Sequence, residues 1–415
     1  MEMKKLAKDP LIHIVRKDSI KTGRLIGIKA IAIIIAFIVS SILLAAFEGC
    51  DPLTFIACLF SGSFGTMSKF MVMLKDMAIL LGLGLALLPA FKMKFWNIGA
   101  DGEALIGALA AYICLYFMRD KVPDILLVFI CLFAAVISGI IFAVIPAIFK
   151  AFWNTNETLF TLMMNYVAIQ CVAIFINAFS TGGSNTLPVI YNGSLYMIYE
   201  NLSIILIIAL LTIGIAVYIK HTKHGFELSL VGESVNTAKY VGINVKKVII
   251  RTLILSGAIC GLIGFLLTNG LNHVVNTNSL GGKGFTAIIV VWLANFNPCF
   301  MILTTFMIVF LQKGSNELLM IMGITNDSLI SIITSIFFFL IIGCTFFSKY
   351  IIVFRRNEEG IIDNKCLAFL ERIVKPVDKF FQRLYVVITG FFKKIFNKLK
   401  NKVKKEENEN DASIN

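Results

Sequence analysis

The sequence predicts an all-α fold: a polytopic bundle of about ten transmembrane helices with a further amphipathic helix at its C-terminal end. Hydrophobic residues make up 58% of the 415 residues, against roughly 45–50% in an average soluble domain. They gather in runs of about 20, the length that crosses a bilayer as a helix. The runs are continuous and not alternating, which excludes the strands of a closed barrel, the other fold that satisfies the backbone in lipid.

The apolar runs divide the chain into a cytoplasmic N-terminal segment (1–24), a transmembrane domain (25–349) and a basic tail (350–415). The ten predicted spans are 25–47, 77–91, 98–118, 125–149, 158–179, 201–219, 248–270, 284–294, 300–322 and 328–349. At about 1.5 Å per residue the second and the eighth are too short to cross alone. We expect them to be extended by flanking residues, broken or re-entrant.

Basic residues fill alternate loops, which is the pattern of cytoplasmic loops. They cluster before the first span, after the second and fourth, between the sixth and seventh, and after the last. Both termini are therefore expected in the cytoplasm, with the protein in the cell membrane. The 48–76 loop fits least well, because Lys69 and Lys75 fall on the outer side. The net charge of +13 reflects this topology and lipid headgroups, and not nucleic-acid binding.

The tail interleaves apolar and basic residues between 377 and 403. Apolar residues recur there every three or four positions, and lysines fill much of the opposite face. This pattern is typical of an interfacial amphipathic helix on anionic lipid. A disordered tail, or a helix docked on a partner, remains the alternative.

No catalytic or cofactor motif stands out. The segment SLGGKGF around Lys283 lacks the first glycine and the hydroxyl of a phosphate-binding P-loop, and HEXXH and GxSxG are absent. His221 and His224 are read as surface histidines and not as metal ligands. Most of the 9 cysteines lie inside apolar runs and no CxxC pair exists, so no disulfide framework is predicted. We expect no enzyme activity and no cofactor.

Polar residues at membrane depth are candidates for a substrate pathway, because ionisable groups there are costly. The first group, Asn97, Asp101 and Glu103, lies in FWNIGADGEALIGALAA, which starts at Phe95. The alternative is a capped cytoplasmic helix end whose carboxylates stay in water.

A second candidate group interrupts the ninth span. Its members are Gln312, Ser315, Asn316 and Glu317. We expect a helix break at Gly314 that turns backbone groups towards a cavity. The alternative is a local Lys313–Glu317 pair. Asn165 and Asn269 are weaker candidates, since single amides often bond only to a neighbouring helix.

The loop that begins at His221 is a candidate docking surface for a soluble partner. Ser234 is placed to cap a short helix through Ala238, Lys239 and Tyr240 that ends near Gly242. An ordinary interfacial connector is the alternative, and spacing alone does not separate the two.

Four stretches, in order between about 77 and 349, resemble the permease subunits of ATP-binding-cassette (ABC) importers in the simple-sugar and branched-chain amino-acid superfamily, especially its nucleoside branch. FWNIGADGEALIGALAA resembles F-N-I-G-A-E-G, and NETLFTLMMNYVA at Asn156 resembles N-E-V-I-x-T-L-M-L-N. GESVNTAKYVGINVKKVI at Gly232 resembles the coupling loop, and GGKGFTAIIVVWLANFNP at Gly281 resembles G-x-G-F-x-x-I-A-V-A-L-L-G-x-x-N-P. Asp101 stands where the family usually has Glu, and the bulky Trp292 departs from the small A-L-L-G.

The resemblance implies a mechanism and a set of partners. A separate ATP-binding subunit would dock on the coupling loop, 232–246, whose members include Gly232, Ala238, Lys239, Tyr240 and Gly242. A substrate-binding lipoprotein would deliver the cargo, and a second permease subunit, identical or not, would complete the pore. Nucleosides would be the favoured cargo, with sugars next. An ion-coupled secondary transporter and a purely structural membrane anchor remain as alternatives from other classes.

Overall fold

The computed structural model describes residues 12–16, 38–39, 52–180, 187–195, 202–323 and 350–354, together with 332, 335–336, 339 and 343. In chain order the helices are α1 (Pro52–Phe64), α2 (Met67–Lys92), α3 (Ala100–Met118), α4 (Asp124–Trp153), α5 (Glu157–Phe179), α6 (Leu202–His221), α7 (Lys223–Glu233), α8 (Val235–Tyr240), α9 (Val245–Phe265), α10 (Lys283–Leu293) and α11 (Pro298–Met322). A π-helical turn, Leu266–Asn272, extends α9. Within the described residues, seven helices are long and apolar enough to cross a membrane.

The seven long helices confirm a polytopic helical membrane protein. They coincide with seven of the ten predicted spans, and α10 is the eighth span, only 11 residues long. Spans 25–47 and 328–349 lie outside the continuously described residues, as does the tail helix predicted for 377–403. The count of ten therefore stays a prediction.

The second predicted span was placed too short, and the 48–76 segment is not a loop. Helix α2 has 26 residues and begins at Met67, while α1 fills most of the segment before it. The sequence placed the boundary at 77 because Lys75 and Asp76 suggested a polar loop. Both residues lie inside α2, where Asp76 pairs with lysines of two other helices.

Helix α2 forms the centre of the described bundle. Every residue from 78 to 91 is buried, and α2 contacts α6, α9, α10 and α11. A helix that is apolar on all sides is expected in such a central position. The segments that contain the polar candidate residues therefore pack against α2 near its two ends.

Small residues let α3, α4 and α9 pack closely. A Cβ on Gly261 of α9 would overlap the carbonyl oxygen of Ala135 in α4, and one on Gly139 of α4 would overlap that of Gly257 in α9. A Cβ on Gly264 would likewise meet the carbonyl of Ala104 in α3. Such small-residue contacts are a common basis of helix association in membranes. They fix α3, and with it the polar turn that precedes α3.

Two short strands add to the predicted all-helical fold. Strands β1 (Ile12–Arg16) and β2 (Tyr350–Phe354) pair antiparallel, with Ile14 opposite Ile352. Both are rich in β-branched and aromatic residues, which favour strands. They belong to a compact unit formed by residues 1–56 and 326–415, whereas residues 57–325 form the other unit.

Candidate functional site

The turn between α2 and α3 is a buried polar cluster centred on Asn97. Its Nδ2 donates to Oε1 of Glu103 at 2.8 Å and lies 3.4 Å from Oγ of Ser256, while its Oδ1 accepts from the Gly99 N–H at 2.9 Å. Asn97 is fully buried and Glu103 is 2% exposed. The water-facing alternative for this carboxylate is therefore wrong. No N–H or O–H donor reaches Oε2 of Glu103 within the described residues.

Asp101 joins α3 to the start of α10. Its Oδ1 accepts from the Gly284 N–H at 2.7 Å, at the positive end of the α10 dipole, where a carboxylate is favoured. A Cβ on Gly284 would lie 2.7 Å from Asp101 Cγ, so only glycine permits this approach. The first-turn carboxylate therefore caps a neighbouring helix instead of lying free in water.

Asn165 of α5 anchors the first turn of α3. Its Oδ1 accepts from the Gly102 N–H at 2.8 Å, and its Nδ2 donates to the Ile98 carbonyl at 2.9 Å. Thr161, one turn earlier, accepts from the Ile98 N–H at 3.1 Å. Both ends of the Asn165 amide are engaged, and the residue is 5% exposed. Its present role is to hold the polar turn.

Asn269 lies away from this group and holds a different segment. Its Nδ2 donates to the Gly193 carbonyl at 2.9 Å, and its backbone oxygen accepts from the Leu195 N–H at 2.8 Å. It therefore secures residues 187–195 against the π-helical turn.

The polar 312–317 segment lies in a continuous helix, so the predicted break at Gly314 is wrong. Helix α11 runs through it from Pro298 to Met322. Gly314 instead admits α1, because a Cβ there would overlap Leu59. Ser315 is buried, Gln312 is partly buried and Asn316 is exposed.

The local Lys313–Glu317 pair is also wrong, because both residues pair with α2. Nζ of Lys313 lies 2.5 Å from Oδ2 of Asp76. Oε1 of Glu317 lies 2.6 Å from Nζ of Lys69. Lys313 and Glu317 therefore each pair with a residue of the packed neighbouring helix α2 and not with each other.

Four charged residues meet where α2, α10 and α11 adjoin; we call Lys75, Asp76, Lys283 and Lys313 the lysine cluster. Asp76 pairs with Lys313 and, through Oδ1 at 3.1 Å, with Lys283. Lys75 lies within electrostatic range of the other three. Sequence reasoning missed Lys75, Asp76 and Lys283 as members of a site. The sequence did contain a signal for these residues, because each is a charged residue within one helical turn of a long apolar run.

Two members of the lysine cluster lie near the middle of their helices, while Lys283 is the first residue of α10. Asp76 is the tenth of 26 residues in α2, and Lys313 is the sixteenth of 25 in α11. Each is thus about 5 Å from the midpoint of its helix. Asp101 adjoins the cluster, since its partner Gly284 follows Lys283 directly. Ionisable side chains at this depth mark solute or ion pathways by default.

Helices α7 and α8 form an elbow against the end of α2. A Cβ on Gly232 would overlap the carbonyl oxygen of Lys92, so α7 lies directly on the α2 terminus. Ser234 caps α8 through the Thr237 N–H at 3.2 Å, and Gly242 has a φ of +86° just beyond it. The predicted capped helix at this position is confirmed.

The two faces of the elbow differ in character. Ala238 is buried in an apolar cluster with Met93 and Phe95. On the other face, Tyr240 is 94% exposed and Val241 61% exposed, beside an exposed Lys239. An apolar surface of this kind is suited to a protein partner.

The described residues contain no group of three His, Cys, Asp or Glu placed to hold a metal ion. Two other features of the described structure are candidates for function. One is a polar and charged path along α2, α3, α10 and α11. The other is the exposed α7–α8 elbow, joined to that path through the end of α2.

Comparisons with known proteins identify the family of the chain. The family model for the permease component of branched-chain amino acid transport systems matches residues 67–344. A nucleoside ABC transporter permease protein of Lactococcus lactis is 26% identical over 74% of this chain and 86% of its own length. A guanosine ABC transporter permease protein of Bacillus subtilis is 29% identical over 62% of this chain and 76% of its own.

A glucose ABC transporter permease protein of Haloferax volcanii is 25% identical over 64% of this chain and 74% of its own. No solved structure matches the chain significantly. The family model covers more than half of the chain and all the long described helices. The chain therefore belongs to the family of permease components of branched-chain amino acid transport systems.

Proposed function

We propose that the chain is the membrane-spanning subunit of an ABC importer that brings nucleosides, or alternatively simple sugars, into the cell. The permease role follows from the family. One observation carries the choice of cargo: relatives named as nucleoside and guanosine permeases match most of the helical region. A glucose permease among the relatives keeps sugars as the second choice.

The proposed route for the cargo runs along α2, α3, α10 and α11. Helix α10 has only 11 residues, too few to cross a bilayer alone, and its N-terminus lies beside Asp101 and the lysine cluster. Short helices that end inside a membrane protein commonly border substrate sites. We assign Asn97, Asp101 and Glu103 to the inner part of this route. Gln312, Ser315, Asn316 and Glu317 belong to the α11 side, while Asn165 and Asn269 support the route by holding its backbone.

The α7–α8 elbow is the proposed docking site of the ATP-binding subunit. Tyr240, Val241 and Lys239 would contact it, while Gly232 passes the movement to the end of α2. From there the Asn97 turn leads directly into α3. A displacement of the elbow would therefore reach the polar route through packed backbone and not through a flexible loop.

Family membership implies an ATP-binding subunit and a substrate-binding protein as partners. We further propose a second permease subunit, identical or not, because a pore in this family needs two such halves. We place both termini in the cytoplasm. Pairing of β1 with β2 supports this, since it brings the segments before the first span and after the last to the same side. The basic tail would then lie on anionic lipid.

Transport by reconstituted protein tests this function. The chain, its ATP-binding subunit and its binding protein are placed in liposomes, and uptake of labelled uridine and ribose is followed with and without ATP. The proposal predicts uridine uptake only when ATP and the ATP-binding subunit are both present. Uptake driven by an ion gradient without that subunit would instead identify a secondary transporter.

Docking is tested separately by co-purification of the ATP-binding subunit with tagged permease. Lys239→Glu and Tyr240→Ala should each reduce the amount recovered by at least threefold. Lys121→Glu, an exposed lysine in the turn after α3, is the matched control and should leave recovery unchanged. Full recovery with both elbow variants would refute the assignment of this surface.

A further inference from the structure

The lysine cluster carries more positive than negative charge. Lys283 and Lys313 pair with the carboxylate of Asp76, and the ammonium of Lys75 lies within electrostatic range of it. If all four are ionised, the net charge is about +2. Two other carboxylates on these helices have partners of their own: Glu317 pairs with Lys69, and Asp101 accepts from the Gly284 N–H, next to Lys283.

Lys75 is the unpaired member. It forms no ion pair or hydrogen bond with any residue in the described part of the chain, although it lies within electrostatic range of the other three charges. An ion network that only fastened helices together would need Asp76 and its two partners. The Lys75 ammonium is attracted by Asp76 and repelled by Lys313 and Lys283, so it is not needed for those two pairs. An ammonium group without a paired anion is costly at membrane depth. An anion bound beside Lys75 would compensate its charge.

The cluster is open on one side. The side chains of Lys283, Lys313 and Asp76 retain 34%, 21% and 22% of their exposure. Next to Lys283, a Cβ on Gly281 or Gly282 would meet no atom within 4 Å in the described structure. Charged side chains at this depth face a water-filled cavity or a protein partner and not lipid. Within the described residues, the cluster is therefore not closed off from its surroundings beside Lys283.

We propose that the lysine cluster is a subsite for an anionic oxygen group, a phosphate or carboxylate, on the transported molecule. Lysine binds such groups as a point charge with three donors. Lys75 would bind the anion, and Lys283 and Lys313 would share their donors between it and Asp76. The inference rests on the proposed function and adds to it a preference for anionic derivatives among the nucleosides or sugars that are carried.

Equilibrium binding to the permease tests the subsite without the binding protein. The full chain with its ATP-binding subunit is placed in lipid nanodiscs and titrated calorimetrically with uridine, uridine 5′-monophosphate and inorganic phosphate. Ribose and ribose 5-phosphate form the matched pair for a sugar cargo. The phosphorylated member of one pair should bind at least tenfold more tightly than the neutral member.

Variants assign the preference to the cluster. Lys75→Met should weaken binding of the phosphorylated compound at least fivefold and leave the neutral one unchanged, while Lys75→Arg should restore most of the affinity. Lys121→Met is the control and should change neither. Because Lys75 has no partner to lose, its removal leaves the pairs of Asp76 intact.

Equal affinity for neutral and phosphorylated compounds, or binding of none of them, would overturn the inference. Equal weakening of both compounds by Lys75→Met would also overturn it. So would inorganic phosphate that binds as tightly as the phosphorylated compound, because that result would indicate a site for a free anion only. These results leave the proposed function standing if ATP-driven uptake of uridine is observed. Failure of that uptake is a separate outcome of a separate assay.

Discussion

Replacing Asp76 with asparagine removes the charge that joins three helices. The carboxylate pairs with Lys313 of α11 at 2.5 Å and with Lys283 of α10 at 3.1 Å. Removing one member of a buried pair costs about 3–5 kcal/mol, because the other charge is left uncompensated. The side chains here are about one fifth to one third exposed, so we reduce this to about 2–4 kcal/mol for the two pairs together.

Thermal unfolding in detergent measures the cost. Asp76→Asn should lower the melting temperature by about 5 °C or more. Asp120→Asn is the matched control, since Asp120 is 79% exposed and pairs only with its neighbour Arg119; its loss should cost less than about 0.5 kcal/mol. Adding Lys75→Met to Asp76→Asn should recover part of the stability by removing one repelling charge. Equal melting temperatures for Asp76→Asn and Asp120→Asn would refute the reasoning.

Three further variants test the packing around the route. Gly232→Ala should lower ATP-driven uptake at least threefold, because its Cβ overlaps the Lys92 carbonyl, whereas Gly214→Ala, which meets no atom within 4 Å, should not. Asn165→Leu should cost about 2–4 kcal/mol in chemical unfolding, since it leaves the buried Gly102 N–H and Ile98 carbonyl unpaired. Glu227→Gln should cost at most about 1 kcal/mol at pH 7, and this difference should shrink as the pH falls below about 4.

The pH dependence at Glu227 follows from its pairing. The Arg251 guanidinium, 2.8 Å away, holds the pKa of this carboxyl below its usual value. A depressed folded-state pKa contributes stability above the unfolded pKa of about 4.3, and that contribution is lost as the pH falls through the folded pKa. A stability difference that stayed constant as the pH was lowered from 7 to about 2 would contradict this account. For the elbow, an unchanged uptake rate in Gly232→Ala would contradict the proposed contact with α2.

Local sequence patterns were sufficient to predict most helices, but they did not predict the ion pairs between helices. The hydropathy of α3 to α6, α9 and α11 placed their boundaries within a few residues, and the serine at 234 marked the start of α8. The partners of Lys69 and Lys283 lie 248 and 207 positions away in the chain. No local pattern records such a pair, so the charges of α2 suggested a loop and the glycine at 314 suggested a break.

The sequence predicted which residues belong to the candidate site better than it predicted their contacts. Asn97, Asp101 and Glu103 were expected together, and they do lie in one turn, but the acceptor role of Asp101 at α10 depends on a contact with a glycine 183 positions away. Asn165 illustrates the opposite case. Its amide was expected to bond to a neighbouring helix, and it forms two such bonds to the first turn of α3.

Accumulation of nucleoside against a gradient is the measurement that tests the central claim most directly. Liposomes containing the complete transporter are supplied with ATP at the ATP-binding subunit and treated with ionophores that collapse every ion gradient, and labelled uridine is followed over time. The account predicts accumulation that persists with ionophores and stops when ATP hydrolysis is blocked. Accumulation that the ionophores abolish and that continues without ATP would contradict it.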